Sequence, residues 1–90
     1  MRVGIIGRHA PVLRGAEATA AALGHQACGT LLDDDALARL RDRAVDALAI
    51  GGGVEAPSRV ALISACTQAG AKPLEVFGPD SLKSALQSLS

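Results

Sequence analysis

Short apolar runs alternate with helix-like segments along the chain, and this alternation constrains the fold more than any other feature. The strand-like runs, rich in Ala, Val, Ile and Leu, lie at 2–7, 25–32, 44–52 and 72–78. The first is β-branched, ends in glycine and has the character of a buried strand, and the third and fourth also read as strands. The second contains Gln26 and Thr30 and is interrupted by Gly29, so we expect it at an edge of the sheet.

Helical spacing of apolar side chains follows each of these runs. The predicted helices extend from Pro11 or Val12 to about Leu23, from an aspartate cap within 33–35 to about Arg43, from Pro57 or Ser58 to Gly70, and over 79–89. Gly24 and Gly70 stand where helices commonly end, and Pro57 stands where one commonly begins. Every strand is therefore connected to the next through a helix.

Strands that alternate with helices predict an α/β fold with a parallel sheet and right-handed crossovers. We expect a single domain over 1–90, built as a three-layer sandwich with a four-stranded parallel sheet in the order 2-1-3-4. This is a flavodoxin-like or Rossmann-like arrangement. The order 3-2-1-4 is the alternative.

The composition argues against some classes of binding partner and indicates a cellular location. Nine basic residues balance nine acidic ones, and Phe77 is the single aromatic residue, which argues against a nucleic-acid partner. The chain has no signal-like segment and no apolar run of the ~20 residues that a membrane helix needs, so we expect a cytoplasmic protein without a membrane partner. Cys28 and Cys66 lack disulfide or metal-ligand spacing. We interpret both as small buried apolar residues and predict no metal site.

The stretch "AIGGGVEAPSR" at 49–59 carries three consecutive glycines after the third strand. In open α/β sheets ligands bind beyond the carboxyl ends of the strands where the winding reverses, which here is between strands one and three. Glycine permits positive φ and lets a ligand approach the backbone. Helix N-termini near Pro11 and Pro57 would favour an anion there. The residues predicted to bind a ligand are Gly7, Arg8, His9, Gly51, Gly52, Gly53 and Gly78.

Each of these residues also has a structural interpretation. The glycine run can simply form a tight turn, and Arg8 can pair with Glu55 or Asp80 instead of clamping a phosphate. In the ligand-binding interpretation Arg8 is the only basic residue at these strand ends, and Glu55 turns outward to avoid repelling the anion. His9 has no second histidine or obvious carboxylate partner. The aspartates at 33–35 are expected to be solvated helix caps, with a ribose contact as the alternative.

The segments "DDDALARLRDRAVDALAI" and "VFGPDSLKSAL" resemble the receiver domains of bacterial response regulators, and the resemblance covers most of the chain. It implies a flavodoxin-like module that accepts a phosphoryl group on an aspartate. The chemical residues of receivers differ here. Gly7 and Arg8 replace the acidic pair after strand one, Gly51 follows strand three in place of the phosphoacceptor, and Phe77 and Gly78 stand in place of the lysine. We therefore expect no phosphotransfer.

Two further families of this architecture differ at the same loop. "GIIGRHAPVLRG" departs from the G-x-G-x-x-G dinucleotide fingerprint, because His9 and Pro11 stand where glycine and free amides would help. His9 resembles the histidine of the D-x-H-x-x-G loop in cobalamin-binding domains, but Gly7 replaces the aspartate. No specific cofactor is therefore predicted.

Two classes of function follow from these residues. The first is a non-catalytic module, receiver-like or Rossmann-like, that binds a small anionic, phosphate-bearing ligand or a protein partner. The alternative is an enzyme or enzyme subunit that binds an NAD(P)-type nucleotide cofactor between strands one and three. No nucleophile has a base nearby in sequence, so no catalytic residue is predicted. The third helix, "SRVALISACTQAG", is apolar nearly all round, and we expect it to form a homodimer.

Overall fold

Four strands and four helices alternate along the chain in a computed structural model that describes residues 1–89, apart from the side chain of Pro79. The elements are β1 (Arg2–Ile6), α1 (Ala10–Ala22), β2 (Gln26–Thr30), α2 (Asp33–Arg41), β3 (Ala47–Gly51), α3 (Ala56–Ala69), β4 (Lys72–Val76) and α4 (Pro79–Gln87). All eight predicted elements are present, with ends that differ by a few residues. Ser90, which the predicted domain includes, lies outside the described residues.

The four strands form one parallel sheet in the order β2-β1-β3-β4, as predicted, and the alternative order is wrong. Ile5 of β1 pairs with Gly29 of β2 on one side and with Ala49 of β3 on the other. The winding therefore reverses between β1 and β3. β2 lies at one edge of the sheet, where its interrupted, partly polar sequence led us to expect it.

The sheet separates two apolar clusters, which gives the predicted three layers. Successive side chains of a strand point to opposite faces, so Ile5 and Ile6 enter different clusters. Leu13 of α1 and Leu82 of α4 pack on one face, and Leu40 of α2 and Leu62 of α3 pack on the other. Both faces of the sheet are therefore covered by helices, as the fold class requires.

Local residue choices account for several helix ends. Proline occupies the first turn of α1, α3 and α4, where no intrahelical hydrogen bond is lost. α3 ends at Gly70, which has a φ of 75°. The predicted aspartate cap of α2 is wrong, because Leu32 occupies the N-cap position. The three aspartates lie instead in the first turn, where negative charge suits the helix dipole.

The two cysteines occupy different environments. Cys66 is fully buried between α3 and the sheet, and burial raises the pKa of its thiol to about 11, as expected for an inert side chain. The predicted burial of Cys28 is wrong, because this residue is exposed on β2. An edge strand has a neighbour on one side only, and the helices cover it less completely than the strands at the centre.

The outward surface of α3 is less apolar than its sequence suggests. Leu62 and Cys66 are buried, and Ile63 and Ala65 are partly buried against the same cluster. Among the large apolar residues of α3, Val60 is left exposed, with 68% of its surface accessible. Homodimerisation remains a prediction with a smaller apolar surface to support it. No helix within residues 1–89 is both long enough and apolar enough to cross a bilayer.

Candidate functional site

A crevice of about 550 Å³ opens at the carboxyl edge of the sheet and is bounded by α1 and α4. Ile5, Ala49 and Val76 of the three strands β1, β3 and β4 form its floor, and Leu13 and Leu82 line its helical sides. It lies where the winding reverses, the usual position of ligand sites in open α/β sheets. Its volume is within the range of about 300 to 1,000 Å³ that is typical of small-molecule sites.

All seven residues predicted to bind a ligand line this crevice. They come from three strand ends that are distant in sequence, and they are Gly7, Arg8, His9, Gly51, Gly52, Gly53 and Gly78. The parallel order of the sheet brings these ends to one edge. The individual roles expected for these residues need several corrections.

The glycine run does not use the conformational freedom that we expected, since positive φ among the described glycines is confined to Gly24, Gly70 and Gly78. The backbone turns through a hydrogen bond from the Val54 amide to the Gly51 carbonyl, at 3.1 Å. A Cβ at Gly51 would lie 3.2 Å from the carbonyl oxygen of Ile6. A side chain at the first glycine would therefore crowd the backbone of β1, and the run does form a tight turn.

The other glycines of the crevice differ among themselves: a Cβ at Gly52 would lie 3.2 Å from Phe77 Cδ1, whereas the remaining ones keep the crevice open. A Cβ at Gly7 or Gly15 would meet no atom within 4 Å, and Gly53 has only an ordinary contact with Arg8. Gly15 lies in the interior of α1 and lines the crevice, yet the sequence analysis did not include it. A glycine inside a helix costs roughly 0.5 to 1 kcal/mol relative to alanine. An unexplained glycine in the middle of a predicted helix is the signal that would have identified it.

Arg8 extends from the end of β1 to the first turns of α2 and α3, where two carboxylates accept its hydrogen bonds. Its Nη2 lies 2.6 Å from Asp33 Oδ1 and 2.7 Å from Glu55 Oε1, and Nη1 donates to the carbonyl of Leu31 at 2.9 Å. The Ser58 Oγ lies within hydrogen-bond distance of both carboxylates, 2.5 Å from Asp33 Oδ2 and 2.9 Å from Glu55 Oε1, and its single proton can be donated to either. We call Arg8, Asp33, Glu55 and Ser58 the Arg8 cluster. It connects three chain segments at the edge of the sheet.

Hydrogen bonding shifts the pKa values within the Arg8 cluster. The Arg8 guanidinium, together with the backbone amide of Glu55 and the Ser58 hydroxyl, lowers the pKa of Glu55 to about 2. The Ser58 hydroxyl and then Arg8 lower the pKa of Asp33, while Glu55 and Asp33 raise that of Arg8. Within the Arg8 cluster, the single guanidinium of Arg8 is paired with the two carboxylates of Asp33 and Glu55. The expectation that Glu55 turns outward is wrong, and the pairing of Arg8 with Glu55 is the interpretation that holds.

Arg59 is a second basic residue at this edge, so the prediction that Arg8 is the only one is wrong. Its Nη2 donates to the Gly51 carbonyl at 2.6 Å, and its Nη1 contacts Glu75 at 3.3 Å. The guanidinium also lies 5.1 Å from the centre of the Phe77 ring, a cation–π distance. Arg59 therefore holds the glycine turn in place. It lies one turn into a helix that begins at this edge, which was the available sequence signal.

The helix beginnings around the crevice differ from the expectation. α3 begins beside the Arg8 cluster, and none of its residues lines the crevice, so the approach of a ligand to its N-terminus stays a prediction that the crevice itself does not support. α1 begins after His9, has no acidic residue in its first turn and has no side-chain cap. α4 begins after Gly78 and carries Asp80 in its first turn. The uncapped helix end that suits an anion is therefore that of α1.

Polar side chains are few among the crevice residues. They are Arg8, His9 and Thr19, and the Thr19 hydroxyl already donates to the carbonyl of Gly15 at 3.0 Å. Within residues 1–89 the His9 ring makes no hydrogen bond, and no three His, Cys, Asp or Glu side chains are grouped as metal ligands would be. The described lining of the crevice therefore offers few side chains for proton transfer or nucleophilic attack.

Comparison with known proteins supports the fold. No protein-family model and no curated protein matches the chain. A de novo designed Rossmann 2x3 fold protein, solved in solution by NMR, is similar in structure, with a TM-score of 0.70 and 16% sequence identity. The similarity covers 98% of this chain and 70% of the designed one. At this identity it shows a shared Rossmann-like α/β fold and nothing about function.

Proposed function

We propose that this protein is a non-catalytic Rossmann-like module that binds a small anionic ligand in the crevice between β1 and β3. The observation that carries the proposal is the crevice itself, which has the volume of a ligand site and lies where the winding of the sheet reverses. Its mouth is lined by glycines from three strand ends, so a ligand can reach the backbone amides.

The proposed affinity for an anion rests on the start of α1. A helix N-terminus carries the equivalent of about half a positive charge, and no side chain of the first turn of α1 neutralises it. Arg8 contributes little, because its guanidinium is bonded to two carboxylates. Phosphate remains the anionic group proposed from the sequence, and it forms one arm of the experiment below.

Binding without catalysis is favoured by the lining of the crevice. Two of its polar side chains, Arg8 and Thr19, already hydrogen-bond to other groups, and His9 has no nucleophile beside it among the described residues. Nucleotide-dependent catalysis, the alternative, would need a dinucleotide fingerprint that the chain lacks. NADP is included below because its binding would favour that alternative.

The test is a titration of the full chain followed by amide NMR, with inorganic phosphate, AMP, NADP and octanoate as separate probes. Gly15→Leu fills the crevice from a helix position where the side chain has open space, and Ala18→Leu adds the same side chain to an exposed position on α1 that does not line it. We expect at least one probe to give saturable shifts at residues 7–9 and 51–53 in the wild type and in Ala18→Leu. These shifts should be lost in Gly15→Leu.

Two outcomes would contradict the proposal. One is the absence of saturable shifts with every probe. The other is binding that Gly15→Leu leaves unchanged, since the ligand would then lie elsewhere on the molecule.

A further inference from the structure

The two edge strands of the sheet are protected against further pairing to different degrees. In β4 the amide of Lys72 donates to the carbonyl of Asp46, so residues 72, 74 and 76 bond inward to β3, and Pro73 and Glu75 direct their backbone groups outward. Pro73 has no amide hydrogen and Glu75 carries a charge, and both features are common protections of an exposed edge. β4 is therefore a poor edge for another strand to join.

β2, at the opposite edge, lacks these protections. The amide of Gln26 donates to the carbonyl of Met1, and residues 28 and 30 follow it in bonding to β1. The intervening residues direct their backbone groups to the other side, so the amides and carbonyls of Ala27 and Gly29 point outward. No side chain of residues 1–89 bonds to these four groups. The strand, QACGT, also contains no proline and no charged residue.

The free edge of β2 is complementary to a second copy of itself. Cys28 is the middle residue of the strand and is exposed, and Ala27 and Gly29 flank it. In an antiparallel arrangement, Ala27 of one copy lies opposite Gly29 of the other, and the two residues exchange both of their outward hydrogen bonds. Two such pairs form, so every outward backbone group of β2 gains a partner. Cys28 then lies opposite Cys28 of the second copy.

The surface of α1 beside this edge also suits a second copy. α1 lies directly over β2, since a Cβ at Gly29 would be 2.8 Å from the Glu17 carboxyl carbon. Arg14, Ala18 and Ala21 are exposed on the face of α1 away from the crevice, and the two alanines allow another helix to approach closely. Arg14 and Glu17 form no ion pair within residues 1–89. Antiparallel α1 helices from two copies therefore bring charges of both signs together.

We infer that β2 pairs antiparallel with β2 of a second copy of this chain, which extends the sheet from four strands to eight. The contact is separate from the homodimer predicted at α3, and it does not depend on the ligand proposed for the crevice. Two five-residue strands and one helix face form a small interface. We therefore expect this contact at millimolar and not at micromolar protein concentration.

The first experiment measures self-association in the Val60→Asp chain, which removes the contact predicted at α3. Sedimentation equilibrium and amide NMR are recorded from micromolar to millimolar concentration. We expect the mass to rise towards that of a dimer and the amide signals of residues 26–30 to shift with concentration. Adding Cys28→Lys places like charges opposite each other at an exposed position and should abolish both effects, whereas Cys28→Thr should retain them.

A covalent trap tests the register of the two strands. Diamide oxidises two thiols to a disulfide and takes up their two electrons and two protons. Opposite residues of a non-hydrogen-bonded antiparallel pair have Cα atoms about 4.5 Å apart, which is within the range of disulfides, so Cys28 should give a covalent dimer at millimolar concentration. Cys66 is fully buried and does not compete.

The matched control for the trap moves the thiol along the same strand. In the Cys28→Thr chain, Gln26→Cys supplies a thiol at another exposed position on the same face of β2. In the inferred register this position lies opposite Thr30 of the second copy, so the control should remain monomeric under diamide for the same time.

Three results would overturn the inference. They are a Val60→Asp chain that stays monomeric at millimolar concentration, an association that Cys28→Lys leaves unchanged, and a register control that crosslinks as fast as the chain with Cys28. The first would mean that the edge of β2 does not pair. The second would place the contact elsewhere on the molecule, and the third would show that the crosslink comes from random collision.

Discussion

The two sides of the carboxyl edge of the sheet are built in opposite ways. On the side of α2 and α3, the strand-end polar groups bond to one another in the Arg8 cluster, and the residues beneath them pack closely. On the side of α1 and α4, the strand ends present glycines, the first turn of α1 is uncapped, and a crevice remains. The same strands contribute to both sides, because successive residues point to opposite faces.

The ion pairs of the strand ends therefore lie on the side of α2 and α3, and the open volume lies on the side of α1 and α4. Arg8 and Arg59 hold the helices and the glycine turn, while the available volume lies where the lining residues are mostly glycine or small. The ligand binding that we propose for the crevice would depend on shape, apolar contact and backbone amides more than on charged side chains. The predictions below test whether the two sides really differ in this way.

The largest expected effect comes from matched leucine truncations in the two clusters. Leu62 is fully buried on the closed side, and Leu62→Ala should lower the free energy of unfolding by about 3 to 5 kcal/mol. Leu82 borders the crevice and therefore has fewer contacts to lose, so Leu82→Ala should cost about 2 kcal/mol. Urea unfolding measures both, and equal losses would mean that the crevice side is as closely packed as the other.

Two alanine substitutions compare the packed and open glycines of one turn. Gly51→Ala brings a Cβ to 3.2 Å from the backbone oxygen of Ile6 and should destabilise the fold by about 1 to 3 kcal/mol. Gly53→Ala has no such contact and no positive φ, so its effect should stay within about 0.5 kcal/mol. Thermal unfolding of the two variants and the wild type measures both changes in stability. A harmless Gly51→Ala would remove the packing explanation for the first glycine.

The Arg8 cluster predicts a pH dependence that the open side lacks. The pKa of Glu55 is lowered from 4.5 to about 2, and that of Asp33 is lowered as well, so the stabilisation is complete above about pH 5. It is lost as the pH falls through the folded-state pKa values. Arg8→Met should therefore be less stable than the wild type near neutral pH, and the difference should shrink steadily from about pH 4.5 towards pH 2.

Urea unfolding at a series of pH values measures this difference. Arg14→Met is the matched control, because Arg14 is exposed on α1 and makes no ion pair within residues 1–89. The control should follow the wild type across the whole range. A difference between Arg8→Met and the wild type that does not change with pH would show that Arg8 acts through packing and not through its carboxylate partners.

The smallest effect is expected on self-association. Val60 is the large exposed apolar residue of α3, on the closed side of the molecule, and the predicted homodimer would cover it. We expect sedimentation equilibrium of the wild type at micromolar concentration to give a dimer that Val60→Asp weakens. Val12→Asp, on the crevice side, is the matched control and should leave the mass unchanged. A monomeric wild type would remove the dimer prediction.

Most of the architecture could be predicted from the sequence. The alternation of β-branched runs such as "RVGII" with amphipathic segments indicated each element, and the handedness of crossovers limited the strand orders. The edge position of β2 followed from Gln26, Gly29 and Thr30. The helix cap and Cys28 were predicted incorrectly, because capping geometry and exposure on an edge strand depend on neighbours that a local pattern does not contain.

The candidate site was predicted less completely. Its position followed from strand order alone, and all seven residues lie along the crevice as a result. The partners of Arg8 did not follow, since Asp33 reaches it only after α2 and α3 have packed side by side. Arg59 and Gly15 were missed for a related reason. Each acquires its role from an element that is adjacent in space.

The sequence by itself determined where the strands and helices form and which loops meet at one edge of the sheet. These properties depend on local periodicity and on the handedness of the chain. Only the tertiary structure decided that Arg8 and Arg59 are paired with carboxylates, that a side chain at Gly51 would crowd β1, and that the open space lies beside α1 and α4. Such outcomes depend on distances between residues far apart in sequence, and short-range hydrogen bonds and excluded volume change sharply over less than an ångström.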